Sequence, residues 1–238
     1  MADSRDNSLP AGHRSLFVIG TDTGVGKTRI ACMLLRAFAA RGERVIGMKP
    51  VAAGLEPGVF VPRNADVELL LAASNIDVPL HLVNPYCFAD PVAPHLAAAA
   101  EQVEISLERM LDAFTALNRL ADRVVVEGAG GFLVPLGPEH DMGELARRLT
   151  IPLVLVVGMR LGCLNHALLT AESVAGRGLR LAGWVANCID PQMDLLESNI
   201  DALRQRLPAP LIGIVPNDTA HGPHAGIRLD IERLAGIL

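Results

Sequence analysis

Residues 20–28 read GTDTGVGKT and have the composition of a phosphate-binding loop. Gly24 and Gly26 let backbone amides approach phosphate oxygens closely, and the helix predicted to follow adds the positive end of its dipole. Lys27 is predicted to span the β- and γ-phosphates of a nucleotide, and the hydroxyl of Thr28 to bind Mg²⁺. The spacing is unusual, because five residues rather than four separate Gly20 from the Gly-Lys pair. The alternative is a glycine-rich turn without a ligand.

Two carboxylates are candidates for completing a metal site beside this loop. Glu127 follows a run of three valines, so it is predicted to lie at the end of a buried strand. Asp66 comes two residues after Asn64, at the predicted start of a helix. Oxygen ligands of this kind suit Mg²⁺. The alternatives are a strand-end acid that faces water for Glu127 and a helix N-cap for Asp66.

The usage of basic residues points to the same loop. The chain has 21 basic residues, and only two of them, Lys27 and Lys49, are lysines. Arginine can replace lysine wherever a general positive charge suffices, but not where a compact ammonium must act as a point charge. Both lysines are therefore candidates for functional roles, the alternative being chance retention at the surface.

Composition disfavours several other classes of protein. Half of the 238 residues are hydrophobic and 20% are charged, which is typical of a folded chain with a substantial core. The net charge is −5 and no basic block is present, so no nucleic-acid partner is expected. No apolar run reaches the roughly 18 residues of a membrane span, so no membrane partner is expected either. The four cysteines form no CxxC pair, which indicates reduced thiols and a cytoplasmic location.

Apolar runs alternate with segments of helical period along the chain. Strands are predicted at residues 15–20, 44–48, 123–127, 152–158, 181–187 and 211–215. Helices are predicted at residues 27–40, 106–120, 163–175 (with Gly176 as C-cap) and 191–207 (with Asp190 as N-cap). The alternation predicts an α/β fold, namely a doubly wound, mostly parallel sheet with helices on both faces, as in P-loop NTPases.

The domain organisation is predicted to be simple. Residues 1–14 are polar and are predicted to form a flexible N-terminal tail, and residues 15–238 a single P-loop α/β domain. The proline-rich segments 55–63 and 89–95 are predicted to be loops that wall an active site.

The loop GTDTGVGKT resembles that of the dethiobiotin synthetase family, which uses this longer phosphate loop. Further segments agree in the same order: MKPVAAG at 48–54, NAD at 64–66, NPYCFADPVAPH at 84–95, VEGAGG at 126–131, LGCLNHALLTAE at 161–172 and LAGWVAN at 181–187. The resemblance covers about residues 15–217, and the combination is more specific than the loop alone.

The resemblance implies a fold, a reaction and an assembly. The family has a seven-stranded, mostly parallel sheet and works as a homodimer with its active site at the interface. It converts 7,8-diaminononanoate, CO₂ and ATP, with Mg²⁺, to dethiobiotin, ADP and phosphate, through a carbamate and a carbamic–phosphoric anhydride. By resemblance Lys27 and Lys49 are catalytic, with Lys49 beside the carbamate. The metal ligands are Thr28, Asp66 and Glu127, and the nucleotide contacts are Gly24, Val25, Gly26, Lys27, Thr28, Asn187 (which reads adenine) and Pro216.

The substrate contacts are expected at Thr23, Lys49 and residues 162–165 (Gly162, Cys163, Leu164 and Asn165). The last segment precedes a predicted helix, so its amides form an anion site suited to the remote carboxylate of the diamine. By resemblance this segment comes from the partner subunit, the alternative being an ordinary strand-to-helix turn. One departure from the family is Ala53, which stands where some members have a serine that contacts the substrate.

Two other functions remain open at this point. A ParA/MinD-like positioning ATPase shares the fold, but its second loop lysine would occupy the position of Asp22, and residues 227–238 carry two arginines and two acids rather than a basic membrane helix. A non-catalytic nucleotide-binding module is the second, and the joint presence of Thr28, Lys49, Asp66 and Glu127 disfavours it.

Overall fold

The computed structural model describes residues 14–55, 64–217 and 229–235. The strands are β1 (Leu16–Gly20), β2 (Val45–Met48), β3 (Val51–Ala53), β4 (Tyr86–Phe88), β5 (Arg123–Glu127), β6 (Leu153–Gly158), β7 (Leu181–Asn187) and β8 (Leu211–Val215). The helices are α1 (Lys27–Ala39), α2 (Ala65–Ala73), α3 (Leu80–Val83), α4 (Pro94–Ala100), α5 (Leu107–Leu120), α6 (Met142–Leu149), α7 (Cys163–Gly176), α8 (Leu196–Arg206) and α9 (Ile231–Ala235).

Six strands form one sheet in the order β2-β5-β1-β6-β7-β8, and every neighbouring pair is parallel. Strands β1, β5, β6 and β7 are buried along their whole length, which explains their near-continuous runs of apolar residues. One apolar core lies on each face: α1 and α9 pack on one side, and α5, α6, α7 and α8 on the other. The doubly wound α/β fold predicted from the sequence is confirmed.

The main sheet of the described residues has six strands, one fewer than the seven expected from the family, and residues 218–228 and 236–238 lie outside the described residues. The chain leaves this sheet after Met48, and β3 then pairs with β4 as a separate two-stranded parallel sheet. The amide of Lys49 donates to the carbonyl of Val83 (2.8 Å), and that of Tyr86 to the carbonyl of Pro50 (3.2 Å). The bend between β2 and β3 therefore carries Lys49.

The six strands predicted from apolar runs are confirmed to within one residue at each end, as are the helices at 27–40 and 106–120. The elements that sequence analysis missed are short, namely β3, β4, α3, α4, α6 and α9. Segment 89–95 is a loop only as far as Ala93, because Pro94 begins α4. Of segment 55–63, residues 56–63 lie outside the described residues, as do residues 1–13 of the predicted tail. Within the described residues, no helix combines the length and apolarity needed to cross a lipid bilayer.

Two predicted helix ends are wrong. The helix expected from residue 191 begins at Leu196, because the side chain of Asp190 accepts from the amide of Gln192 (2.9 Å) and closes a turn instead. Helix α7 includes Gly176 rather than ending before it. Gly178 takes the left-handed conformation (φ 70°) that normally follows a helix C-terminus.

The parallel arrangement brings six strand ends to one edge of the sheet. The register pairs Val18 of β1 with Glu127 of β5, and Gly158 of β6 with Asn187 of β7. The segments that leave these ends hold nearly all the candidate residues, and Asp66 reaches the same edge from the first turn of α2. Ligands of open parallel sheets bind at this edge.

Candidate functional site

The phosphate loop connects the carboxyl end of β1 to α1. Gly26 is the N-cap of α1 and has a left-handed backbone (φ 88°, ψ 30°). The carbonyl of Gly26 accepts the first helical bond, from Ile30 (3.1 Å). The side chain of Lys27 is buried at the start of the helix, and its Nζ donates to the carbonyl of Asp22 (2.9 Å). The loop therefore points the amides of the α1 N-terminus and one ammonium toward the same place, as phosphate binding requires.

Val25 fixes the loop to the sheet below it. Its side chain is 1% exposed and lies against Gly20 and Gly158, where an added β-carbon would come within 2.8 Å of it. The carbonyl of Val25 accepts from Nδ2 of Asn187 (2.8 Å). The loop is thus held from β1, β6 and β7 at once.

Thr28, Lys49, Asp66 and Glu127 form one hydrogen-bonded cluster beside the loop. The Oγ1 of Thr28 lies 2.8 Å from Oδ1 of Asp66 and 2.8 Å from Oε1 of Glu127. The Nζ of Lys49 lies 2.9 Å from Oδ2 of Asp66 and 2.6 Å from Oε1 of Glu127. The side chain of Glu127 is 1% exposed and that of Lys49 6%, whereas that of Asp66 is 41% exposed. Asp66 is not the N-cap of α2, because the side chain of Asn64 accepts from the first amides of that helix.

Two ammonium groups and two carboxylates balance one another in this site. Burial, and after it the charge of Lys49, lowers the pKa of Lys27 to about 8. Burial disfavours the charged form of Lys49, but the nearby charges of Glu127 and Asp66 outweigh the effect of burial, so the pKa of Lys49 is raised. Burial also disfavours the charged form of both carboxylates. It raises the pKa of Glu127, but for Asp66 the charge of Lys49 and the hydrogen bonds from Lys49 and Thr28 outweigh burial, so the pKa of Asp66 is lowered. Both lysines are therefore largely cationic at neutral pH.

The donor set fits a magnesium ion bound together with a nucleotide. Oε2 of Glu127 is buried without a hydrogen-bond partner among the described residues, so one carboxylate oxygen is available. The described residues contain no group of three or more His, Cys, Asp and Glu side chains that could hold a metal. Two carboxylates and a hydroxyl suit Mg²⁺, which keeps several waters and takes further ligands from phosphates.

The far end of the loop carries the candidate adenine contacts. Asn187 is 2% exposed, and its Oδ1 is buried with no hydrogen-bond partner in the described part of the chain. Pro216 follows β8 and is exposed, and its carbonyl accepts from the guanidinium of Arg29 (3.1 Å). Asn187 and Pro216 thus lie at the ends of the neighbouring strands β7 and β8. Arg29 was not identified from the sequence.

The candidate substrate contacts fall into two places. Thr23 is exposed, and an added β-carbon on Gly130 would lie 3.4 Å from its Oγ1, so Thr23 faces the loop that follows β5. Residues 162–165 form the turn into α7, where Gly162 (φ 95°) is the N-cap and Asn165 is exposed. Cys163 is buried, and its amide donates to the carbonyl of Arg160 (3.0 Å).

Within the described residues, no hydrogen bond or ion pair joins these two places. None connects residues 162–165 to Lys27, Lys49 or the two carboxylates. Sequence analysis also missed one ion pair that does cross the site, between Arg160 and Asp22 of the phosphate loop (2.5 Å). The positions of the two residues in the sequence could have indicated this pair, since Arg160 follows a predicted buried strand and Asp22 is the single charged residue before Lys27 in the loop.

The fold and the site define a P-loop nucleotide-binding protein. The chain matches the AAA domain family over residues 14–225. It is 54% identical over 222 residues to the ATP-dependent dethiobiotin synthetase of Nitrosospira multiformis, covering 93% of this chain and 96% of that protein. It is 53% identical over 210 residues to the enzyme of the same name from Aromatoleum aromaticum (88% and 93%). The chain belongs to the dethiobiotin synthetase family of ATP-dependent enzymes.

Solved structures of MinD proteins share the fold. MinD of Pyrococcus horikoshii, solved with Mg-ADP, has a TM-score of 0.57 at 14% identity, and the match covers 86% of this chain and 82% of the MinD chain. MinD of Pyrococcus furiosus has a TM-score of 0.54 at 16% identity (94% and 98%). At these identities the likeness concerns the fold alone. The family assignment therefore rests on the sequence relatives.

The close approach of Asn187 to the loop gives a prediction that separates the effect of steric contact at Gly26 from that of backbone strain. We expect Gly26→Ala to bind ATP at least about tenfold more weakly than Gly24→Ala, because overpacking costs about 1–3 kcal/mol beyond the backbone strain. A β-carbon on Gly26 would lie 2.1 Å from Nδ2 of Asn187, whereas one on Gly24 would have nothing within 4 Å. Both glycines have positive φ (88° and 72°), so the backbone cost is shared. Titration calorimetry with ATP measures the difference, and equal affinities would contradict it.

Proposed function

We propose that the protein closes the ureido ring of dethiobiotin in biotin biosynthesis, converting 7,8-diaminononanoate, CO₂ and ATP to dethiobiotin, ADP and phosphate. Membership of the family supports the overall reaction. The observation that carries the proposal is that both lysines of the chain lie at one site, where the charges of Lys49, Asp66 and Glu127 act on Lys27 and where Thr28 bonds both carboxylates. The chain is accordingly an ATP-dependent cyclo-ligase.

The chemistry has three steps, and the two intermediates between them are anionic. One amine of the substrate adds to CO₂ and loses a proton, which gives a carbamate. A carbamate oxygen then attacks the γ-phosphorus and displaces ADP, which gives a carbamic–phosphoric anhydride. The second amine attacks the carbonyl carbon, loses a proton, expels phosphate and closes the ring. Fixed cations and oriented amides are the groups that stabilise such intermediates.

Lys27 serves the phosphates. It is the first residue of α1, and its ammonium is held by a carbonyl of the loop rather than by a carboxylate. Exchange of that carbonyl for a phosphate oxygen therefore breaks no ion pair. The pKa of about 8 keeps most of the ammonium charged at pH 7, so it can neutralise the charge that moves onto the leaving ADP.

Lys49 serves the carbamate as a point charge. Because its pKa is raised, it stays protonated through neutral pH and does not act as a base. Glu127 and Asp66 fix its position from two sides, and the bend between β2 and β3 aims it into the site. We propose that Thr23, which faces the loop after β5, contacts the same end of the diamine.

Mg²⁺ is proposed to bind at Thr28, Asp66 and Glu127. When bound with ATP, it supplies Lewis-acid polarisation of the phosphate oxygens. The unpartnered Oε2 of Glu127 and the half-exposed Asp66 support this set. Gly24, Val25 and Gly26 are proposed to offer loop amides to the phosphates. At the other end of the nucleotide, adenine is proposed to contact Pro216 and Oδ1 of Asn187, which has no hydrogen-bond partner among the described residues.

The remote carboxylate of the diamine is proposed to bind residues 162–165 of a partner subunit. Leu164 and Asn165 lie in the first turn of α7, where backbone amides have no acceptor earlier in the helix, and amides in this position suit an anion. Apolar side chains next to this turn are exposed, with Leu161 at 96% and Leu169 at 55%. Exposed apolar surface of this kind marks an interaction site, which supports a homodimer that shares its active sites.

A non-catalytic nucleotide-binding module is the competing function. It predicts ATP binding without turnover, whereas the synthetase predicts ATP hydrolysis only when the diamine and CO₂ are present. We place the reaction in the cytoplasm, because all four cysteines are free thiols in the described structure.

The two lysines are expected to fail in different ways when each is changed to glutamine. Lys49→Gln should lower dethiobiotin formation by about a hundredfold or more while ATP affinity stays within a few-fold, because it removes a charge from the carbamate. Lys27→Gln should weaken ATP binding itself. Mass spectrometry of the product from diaminononanoate, bicarbonate and MgATP, with calorimetry for ATP alone, separates the two. Wild-type protein without product would overturn the function, and an equal loss of ATP affinity in both variants would place Lys49 in the nucleotide site.

Glu127→Gln is expected to raise the Mg²⁺ concentration at half-maximal rate by about tenfold or more, because it removes one charged ligand and keeps the shape. Mn²⁺ binding in the presence of ADP, followed by electron paramagnetic resonance, should weaken in parallel. Glu43→Gln is the matched control, since Glu43 also pairs with a buried cation, Arg123 (2.8 Å), but away from the site. Unchanged metal binding in Glu127→Gln would remove Glu127 from the metal ligands.

Mixing two impaired variants tests the shared site. Lys27→Ala damages the phosphate loop, and Asn165→Asp places a repelling charge at the carboxylate site. In a two-fold dimer that contains both, one site has both defects and the other has neither, so random subunit exchange should restore roughly a quarter of wild-type sites. Circular dichroism and separate assays must show that each variant is folded and inactive alone. Activity equal to the sum of the two residual activities would refute the shared site.

A further inference from the structure

The ion pair between Asp22 and Arg160 connects the phosphate loop to the segment that enters α7. The NH2 of Arg160 lies 2.5 Å from Oδ2 of Asp22, and the two side chains are 43% and 45% exposed. Asp22 follows β1 and Arg160 follows β6, which are neighbouring strands of the sheet. The pair therefore bridges the cleft between two strand ends, and no step of the proposed reaction uses it.

On its first side, the pair organises the phosphate loop. Oδ1 of Asp22 accepts from the amide of Thr23 (2.7 Å), and the carbonyl of Asp22 accepts from Nζ of Lys27 (2.9 Å). One residue thus contacts Arg160, the proposed diamine contact and the phosphate-binding ammonium. A phosphate that draws Lys27 away from this carbonyl changes the contacts of Asp22 directly.

On its other side, the pair holds the turn before α7. The carbonyl of Arg160 accepts from the amide of Cys163 (3.0 Å), and the amide of Met159 donates to the carbonyl of Asn187 (2.8 Å). The peptide of Arg160 is therefore part of the first turn that presents the amides of Leu164 and Asn165. A shift of Arg160 moves these amides relative to the sheet.

We infer that Asp22 and Arg160 are a positioning pair that couples nucleotide binding at the phosphate loop to carboxylate binding at the N-terminus of α7. The inference rests on the proposed function, because the carboxylate is that of the diamine. If the sites are shared across a dimer, this turn serves the active site of the partner subunit. The pair then links the nucleotide of one active site to the substrate of the other.

The size of the coupling is limited by the exposure of the pair. Half-exposed ion pairs change an equilibrium by a factor of up to about five. Coupling between two ligands is reciprocal, so it is measurable from either ligand. ADP is the better nucleotide for the measurement, because it lacks the γ-phosphate, which would lie nearest the amines. Without direct contact between nucleotide and diamine, the coupling that remains is the one through Asp22 and Arg160.

The test is the ratio of the ADP dissociation constants, with Mg²⁺, in the absence and presence of saturating diaminononanoate. We expect a factor of about two to five for the wild-type protein and about one for Arg160→Gln and Asp22→Asn. Asp22→Asn keeps the oxygen that accepts from Thr23 and loses only the charge. The double variant should lose no more coupling than either single variant, since the two residues act through one contact.

The matched control is Arg44→Gln. Arg44 pairs with Asp122 at 2.8 Å with similar exposure (59% and 46%), at the opposite edge of the sheet. It should keep the wild-type coupling factor, and thermal unfolding of all variants reports on general damage. Coupling that persists in both Arg160→Gln and Asp22→Asn, a wild-type factor of one, or an equal loss in Arg44→Gln would overturn the inference. If dethiobiotin still forms in that case, the proposed function stands and only the coupling fails.

Discussion

The ion pair between Lys49 and Glu127 is the contact on which the site depends. A carboxylate that is 1% exposed is costly to bury, and this one lies at the end of a strand surrounded by apolar residues. The ammonium 2.6 Å away offsets much of that cost, Thr28 donates to the same carboxylate oxygen or to Asp66, and Asp66 accepts from Lys49. Removal of Lys49 or Glu127 leaves a buried charge without its nearest partner, so the cluster constrains α1, α2 and two strand ends together.

The same cluster explains why lysine and not arginine occupies position 49. Two carboxylate oxygens from different elements converge on one nitrogen, at 2.9 and 2.6 Å. A compact ammonium satisfies this geometry, whereas a planar guanidinium prefers two oxygens of one carboxylate. Arg123 shows the contrast in the same chain, because it lies flat over Phe38 and reaches both oxygens of Glu43.

The sequence predicted the central sheet well because parallel strands buried on both faces are read directly from apolar runs such as that of β6. The loop motif and the scarcity of lysine made Lys27, Thr28 and Lys49 candidates, and positions at a strand end and a helix start made Glu127 and Asp66 candidates. Their contacts were beyond sequence reasoning, because Asp66 reaches Lys49 and Thr28 only through the placement of α2 on the sheet. The Asp190–Pro191 pair predicts a helix start, but the side chain of Asp190 accepts from the amide of Gln192 and closes a turn there. Arg160 carried no motif, and its proximity to Asp22 follows from strand order alone.

The unequal environments of the two lysines make the chain selective toward amine-directed reagents. Acylating reagents attack the neutral amine, so their rate depends on the fraction of each side chain that has lost its proton. Lys27, with a pKa of about 8, has a substantial neutral fraction in mildly alkaline buffer, whereas the raised pKa of Lys49 keeps it protonated. With arginine at every other basic position, Lys27 and Lys49 are the two side-chain amines of the chain. In the protein without nucleotide, a small acylating reagent is therefore expected to react faster with Lys27 than with Lys49.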